Sequence, residues 1–213
     1  MRIKINDWND IHKPFFLTLQ PGYTVLVGPN GAGKTTLLLQ LQEYAKKKDI
    51  LLWKYSNLTD GGRSARNDYG FHGNMELLAT SMCSSEGEEI SIHFGQAVKR
   101  LGKACKEAKE QGKPLFILLD SLDSGASIDR VRNLLDLFDF ALDDMKGNVY
   151  IIAAVNQYEM TKGPKKIDAS EEKRKPSRCI NVRTGKEVTF ESYEQYADFI
   201  CSYFEKYPDL NKN

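Results

Sequence analysis

The sequence predicts an α/β protein whose mostly parallel central sheet carries helices on both faces. Short apolar runs alternate along the chain with stretches whose apolar residues recur at helical spacing, which is typical of this class. The runs at 115–119 and 149–155 are apolar at almost every position, as in central strands buried on both faces. A third observation is the glycine-rich segment 28–36, which stands between an apolar strand and a helix.

The amino-terminal elements are predicted from local patterns. Residues 1–5 and 14–19 alternate in polarity, which predicts an antiparallel pair of strands. A central strand at 23–27 follows, and the apolar residues of 33–47 then recur on one helical face. The apolar run at 50–55 predicts a further short strand.

The remaining elements follow the same logic over a single domain, 1–213. We expect 56–112 to form a long loop and a helical subdomain, and 161–213 to form a basic loop, a hairpin and a closing helix. The individual predictions are a helix at 90–108, a strand at 115–119, a helix from the N-cap Ser127 to 142, a strand at 149–155, a hairpin at Thr184 and Gly185, and a last helix with Ser192 and Gln195 as its capping box.

The composition is that of an ordinary globular domain, with 41% hydrophobic and 28% charged residues. A net charge of +1 gives no overall field toward nucleic acid or membranes, so any such binding has to be local. The four cysteines lack metal-binding spacing and predict free thiols. The sequence shows neither a membrane span nor the apolar core of a signal peptide, so we expect a cytoplasmic protein.

The segment 28–36, Gly-Pro-Asn-Gly-Ala-Gly-Lys-Thr-Thr, matches the G-x-x-x-x-G-K-[ST] phosphate-binding pattern. Glycines allow close backbone approach, and N–H groups at a helix N-terminus bind phosphate. We expect Lys34 to reach the β- and γ-phosphates and the Thr35 hydroxyl to ligate Mg²⁺. The pattern therefore predicts the P-loop NTPase fold and these nucleotide-binding residues: Asn30, Gly31, Ala32, Gly33, Lys34, Thr35 and Thr36.

The sequence of this loop resembles that of the ABC-type ATPases, a family that includes transporter motor domains and the SMC-like chromosome and repair ATPases. Residues 84–88, Ser-Ser-Glu-Gly-Glu, are similar to the signature motif of the SMC-like branch. The strand at 115–120 resembles the Walker B strand, and 124–129 resembles the D-loop that follows it. These segments occur in the order of the family and cover most of residues 14–160.

The resemblance implies that ATP is the nucleotide and that Asp120 holds Mg²⁺ together with Thr35. It also implies that Ser85 and Gly87 contact the γ-phosphate bound by a second copy, so that ATP and Mg²⁺ drive a head-to-tail homodimer. For Ser85, an ordinary helix cap with Glu88 three residues on is the alternative. Trp8 is a candidate for stacking on adenine.

Groups that this family uses for hydrolysis are replaced in the sequence. Ser121 follows Asp120 where a Glu is expected, and a hydroxyl cannot act as a carboxylate base near neutral pH. Asp123 is the predicted substitute. Asn156 stands in the place of the switch His and can hydrogen-bond a γ-phosphate without shuttling a proton. We therefore predict a slow ATPase with Asp123 and Asn156 as its catalytic residues.

Two further departures concern the glutamine loop and the architecture. Asn57 or Asp60 is the nearest polar replacement for the glutamine of that loop. The coiled coil that SMC-like proteins insert between the phosphate loop and the signature is missing, because the short segment between them shows no heptads.

Three functions remain open at the level of sequence. The first is a slow ATPase whose dimerisation is the functional event. The second is an ATP-sensing adaptor that docks a protein or nucleic-acid partner without hydrolysis. The third is a P-loop phosphotransferase, for which Arg63 and Arg66 are the only candidates for a lid.

Two other sequence features are consistent with more than one role. The basic run at 162–178 is favoured as a solvated loop over a nucleic-acid site, because acidic residues interrupt it. The last helix carries an aromatic face that predicts core packing or a partner surface, formed by Tyr193, Tyr196, Phe199, Ile200, Tyr203 and Phe204.

Overall fold

A computed structural model describes residues 1–7, 14–56, 60, 86–124, 127–165 and 174–206, with only the backbone described at 86–96, 130 and 134. Strands and helices alternate over this part of the chain. The strands are β1 (Arg2–Ile5), β2 (Phe15–Thr18), β3 (Gly22–Val27), β4 (Leu51–Ser56), β5 (Leu115–Asp120), β6 (Val149–Ala154), β7 (Ser177–Asn181) and β8 (Glu187–Val188). The helices are α1 (Lys34–Lys47), α2 (Glu86–Gln111), α3 (Ile128–Asp136), α4 (Asp139–Asp144), α5 (Tyr193–Cys201) and α6 (Tyr203–Lys206), with a 3₁₀ turn at Tyr158–Lys162.

The central sheet has six strands in the order β4-β5-β6-β3-β7-β8 within the described residues. All neighbouring pairs are parallel except β7 and β8, which form an antiparallel hairpin. β1 and β2 form a separate antiparallel pair. The predicted fold class is therefore confirmed: a mostly parallel sheet of the P-loop NTPase type with an amino-terminal antiparallel pair.

The core lies on both faces of this sheet, because side chains of β3 alternate between two clusters. Val25 and Val27 belong to the cluster that packs against α2, α3, α4 and α5. Leu26 belongs to the other cluster, which contains α1, α6 and the small sheet. Helices thus cover both faces, as the continuous apolar runs predict.

The predicted helix from Ser127 to residue 142 is wrong in one respect, since two helices replace it. The amide of Phe138 bonds to the carbonyl of Leu135 at 3.1 Å, a shorter repeat than that of an α-helix, and α4 begins at Asp139. Asp136 and Asp139, which flank this break, are both buried. Ser127 occupies the N-cap position of α3 without a side-chain capping bond.

The predicted capping box of the last helix is only partly formed. The amide of Gln195 donates to the Ser192 hydroxyl at 3.3 Å, as expected. The side-chain carbonyl of Gln195 accepts from the amide of Glu191 at 2.9 Å instead of from that of Ser192. Among the helices that the structure describes, none is both long and apolar enough to cross a membrane.

Candidate functional site

The phosphate-binding loop joins the carboxyl end of β3 to the first turn of α1. Gly33 takes the N-cap position of α1 with a left-handed φ of 94°, which favours glycine. The amide of Leu37 then donates to the Gly33 carbonyl at 2.9 Å and closes the first helical turn. Asn30, Gly31 and Thr35 are exposed at this end, so the amino terminus of α1 is open to a phosphate group.

Gly28 lies at a crowded point where three parts of the chain come close to its α-carbon. A Cβ at this position would lie 3.0 Å from Cγ1 of Val182 and 3.1 Å from Cβ of Ala32. The phenol Cζ of Tyr203 would be 3.5 Å away. The start of the loop therefore rests on the residue that follows β7 and on α6.

Lys34 is folded back over its own loop. Its Nζ donates to the carbonyl oxygens of Gly28 at 2.6 Å and Pro29 at 3.0 Å. Burial lowers the pKa of Lys34, and the charges of Asp123 and Asp120 act in the opposite direction. The ammonium group therefore lies beside the loop. To contact a phosphate, it must break its hydrogen bonds to these two carbonyl oxygens.

Thr35 and Asp120 are brought together although they are distant in sequence. The Thr35 hydroxyl lies 3.0 Å from Oδ2 and 3.2 Å from Oδ1 of Asp120, at the carboxyl end of β5. Hydroxyl and carboxylate oxygens are the donors that Mg²⁺ prefers, so this donor set fits the ion. Both side chains also line a cavity of about 170 Å³ next to the loop, together with Leu38, Ser56 and Asp60.

Ser121 has a strained backbone directly after Asp120. Its φ of 54° lies in the left-handed region, which is uncommon for a residue with a Cβ. The amide of Ser121 donates to the carbonyl of Ala154 at 3.1 Å, which ties the end of β5 to the end of β6. No carboxylate is present at this position, as the sequence already indicates.

Asp123 is only 2% exposed, and its side chain is hydrogen-bonded to the segment that follows β6. Its Oδ2 accepts from the amides of Asn156 and Gln157, each at 2.6 Å. Burial raises the pKa of Asp123, although these two hydrogen bonds and the charge of Lys34 act to lower it. Its Oδ1 is buried and has no hydrogen-bond partner among the described residues. These contacts favour a role of Asp123 in fixing the backbone at Asn156 and Gln157. Its role as a general base stays a prediction.

Asn156 is held at both of its backbone polar groups. Its amide donates to Asp123, and its carbonyl accepts from the Tyr196 hydroxyl at 2.8 Å. The residue itself is exposed. Because β6 lies between β3 and β5, Asn156 stands between the phosphate loop and the strand that carries Asp120. This is the edge at which open parallel sheets bind ligands.

Several other predicted residues fall partly or wholly outside the part of the chain that the structure describes. Ser85, Asn57, Trp8, Arg63 and Arg66 lie outside the described residues. For Gly87 the structure gives a position in the first turn of α2 and no surroundings, and Thr36 lies half-buried in the first turn of α1. Asp60 accepts from the amide of Ser56 at 2.8 Å and lines the cavity beside Asp120.

The basic run at 162–178 differs from the prediction of a solvated loop at the residues that are described. The side chain of Arg174 is largely buried and donates to Oδ1 of Asp136 at 3.1 Å and to the Gly163 carbonyl at 2.6 Å. Lys175 pairs with Asp139 and Asp143, both at 2.7 Å. The reason is long-range pairing with α3 and α4, which the local sequence does not reveal.

The sequence does not predict the hydrogen bonds that Tyr196 and Tyr203 make. The Tyr203 hydroxyl donates to Oδ1 of Asn181 at 2.9 Å, at the carboxyl end of β7. The aromatic face of the predicted last helix, which the structure divides into α5 and α6, indicates burial without identifying these hydrogen-bond acceptors.

The chain is similar to a known protein family. The model described as "ATPase family associated with various cellular activities (AAA)" matches residues 24–174, which is more than half of the chain. This segment runs from β3 past Asn156 and includes the phosphate loop, Asp120 and Asp123. A search of curated proteins found no match.

Proposed function

This chain belongs to the ATPase family associated with various cellular activities, and from that premise we propose that it binds Mg·ATP and hydrolyses it slowly. The observation that carries the proposal is the junction of Thr35 and Asp120, with 3.0 Å between hydroxyl and carboxylate beside the amino terminus of α1. This contact brings the phosphate-binding motif at 28–36 next to the acidic end of β5.

In the proposed mechanism each residue acts through a contact that the fold prepares. Backbone N–H groups at the start of α1 bind the phosphates, and Lys34 leaves the carbonyls of Gly28 and Pro29 to join them. Thr35 and Asp120 would hold Mg²⁺, which supplies positive charge to the phosphate oxygens when bound. Asn156 donates its side-chain amide to the γ-phosphate, and Asp123 fixes the backbone from which that amide projects.

The finer proposal is that the chain is an ABC-type, SMC-like domain that forms a head-to-tail dimer around ATP. Its support is the wording of the phosphate loop, the signature-like segment 84–88 and the D-loop-like segment 124–129. Ser85 and Gly87 are the residues that would reach the nucleotide of the second copy. Burial of a ligand between two copies would make dimerisation depend on ATP.

A second candidate function, an ATP sensor without useful turnover, is favoured by the groups around Asp120. Ser121 cannot accept a proton from water near neutral pH, and the Oδ2 of Asp123 already accepts two amides. In that case nucleotide binding would serve to dock a protein or nucleic-acid partner.

Steady-state phosphate release by the wild type, Asp123→Ala and Asp123→Asn separates these roles. We expect slow release by the wild type and a rate close to it for Asp123→Asn, because an amide oxygen can still accept from Asn156 and Gln157. Asp123→Ala should be slower, since it removes the acceptor to which both amides donate. If Asp123 is instead the general base, both variants should lose about 10²–10⁴ in rate. A wild type that binds ATP and releases no phosphate would favour the sensor.

A further inference from the structure

The carboxyl-terminal helices place two buried tyrosines against the strands on either side of the phosphate-loop strand. β3 pairs with β6 on one side and with β7 on the other. Tyr196 of α5 donates its hydroxyl to Asn156, directly after β6, and Tyr203 of α6 donates its hydroxyl to Asn181, the last residue of β7. Both contacts lie at the carboxyl edge of the sheet.

We propose that Tyr196 and Tyr203 are positioning residues of the nucleotide site, Tyr196 for Asn156 and Tyr203 for the phosphate loop. Both lie beyond the segment 24–174 that matches the family, so the family match does not include them. The inference rests on the proposed binding of ATP and extends it by assigning the carboxyl-terminal helices a role in setting the affinity.

Tyr196 fixes the side of the site that faces the γ-phosphate. It is 4% exposed, and its hydroxyl completes the pairing of the Asn156 peptide, whose amide is held by Asp123. Loss of the hydroxyl releases the carbonyl of Asn156 and lets the exposed side chain shift. Since ATP carries a γ-phosphate and ADP does not, this change should weaken the binding of ATP and leave the binding of ADP unaffected.

Tyr203 is buried beside the start of the phosphate loop and supports it from the inside of the fold. It is fully buried, and its Cζ would be 3.5 Å from a Cβ added at Gly28. Its hydroxyl donates to Oδ1 of Asn181, which also accepts from the amide of Arg183 at 2.9 Å. Val182 lies between these two residues, and its Cγ1 would be 3.0 Å from a Cβ added at Gly28. The loop holds phosphates that ATP and ADP share, so a shift of this support should weaken both nucleotides equally.

Dissociation constants for Mg·ATP and Mg·ADP, measured by calorimetry on single-oxygen variants, test the inference. For Tyr196→Phe we expect the Kd of ATP to rise about threefold to tenfold, as for one lost hydrogen bond, while that of ADP stays within about twofold. For Tyr203→Phe we expect both constants to rise together by about threefold to tenfold. Each variant keeps its ring, so the packing that folds the chain is retained, and the thermal unfolding midpoint checks this.

Two further variants separate positioning from a general loss of stability. Tyr193→Phe on the same helix alters an exposed residue and should leave both constants unchanged. In an Asn156→Ala background Tyr196→Phe should have no further effect on ATP, because the side chain that it positions is gone.

Each outcome has a definite meaning. Unchanged constants for both tyrosine variants, or a Tyr196→Phe effect that persists without the Asn156 side chain, would overturn the inference. So would an effect of Tyr193→Phe equal to that of Tyr196→Phe. A wild type that binds neither nucleotide would overturn the proposed function and this inference with it, whereas normal wild-type binding with unaffected tyrosine variants would overturn the inference alone.

Discussion

At Asp123, burial and hydrogen bonding act on one carboxylate in opposite directions. The group is buried, and two amides and the charge of Lys34 stabilise its ionised form. Burial is the larger effect, so the pKa of Asp123 is raised above its ordinary value of 3.8. The folded protein therefore holds this proton more tightly than the unfolded chain does.

Asp123→Asn should change how stability depends on pH. Because the pKa is raised in the folded state, the stabilisation due to the protonated group is complete below about pH 3.8 and is lost as the pH rises through the folded pKa. Asparagine cannot ionise, so the free energy of unfolding of the variant should rise relative to wild type from about pH 4 upward. Urea denaturation at several pH values measures this difference. A difference that is constant over the whole range would contradict the assignment.

At this scale the sequence predicts the groups of the site that belong to local motifs. Lys34 and Thr35 follow from the loop pattern, and Asp120 follows from its place at the end of an apolar strand. The contacts of Asp123 with Asn156 and of Tyr196 with Asn156 join residues 33 and 40 positions apart. Such pairings depend on the order of strands and on the path of the last helices, which one sequence does not contain.

At the scale of elements, α3, α4 and the segment around Arg174 form a buried ion-pair cluster. Arg174 and Asp136 each have 8% of the side chain exposed, and Lys165 lies 3.8 Å from the same carboxylate. A buried charge that loses its partner is costly. The break between α3 and α4 places Asp136 and Asp139 where this segment can reach them.

Arg174→Met should destabilise the fold by about 3 kcal/mol, because it leaves the Asp136 carboxylate buried with a weaker partner. Lys109→Met is the matched control, since its pair with Asp144 is half exposed, and we expect it to cost under about 1 kcal/mol. Denaturant unfolding of both variants provides the comparison. Equal small losses would show that the cluster adds little stability.

Most strands and helices could be predicted from the sequence because their apolar patterns are continuous. The predicted strand at 50–55 is shifted by one residue from β4, and the predicted strand at 115–119 is one residue shorter than β5. The break after Asp136 could not be predicted, because the apolar residues of 128–142 keep their helical spacing across it. The buried pair of Asp136 with Arg174 lies at this break, and it is a tertiary contact that the local pattern does not contain.

At the scale of the whole molecule, the order of strands assembles the site. β6 separates β3 from β5, so Asn156 enters between the phosphate loop and Asp120. β7 closes the other side of β3, and the chain beyond it supports Gly28. The fold therefore brings residues from the first turn of α1 to the last helix together around the phosphate loop.

The proposed dimer predicts that Mg·ATP doubles the molecular mass in solution. ATP buried between two copies would stabilise the pair by mass action, and Lys34→Ala should stay monomeric because it cannot hold the nucleotide. Size exclusion coupled to light scattering, with and without Mg·ATP, measures the mass. An unchanged wild-type mass at saturating nucleotide would contradict the assignment of Ser85 and Gly87.

Calorimetric titration of Mg·ATP into the folded protein tests the central claim most directly. The account predicts a saturable heat of binding for the wild type and none for Lys34→Ala, whose fold should be unchanged by circular dichroism. Wild-type protein that gives no heat, or a Lys34→Ala variant that binds as tightly as wild type, would contradict it.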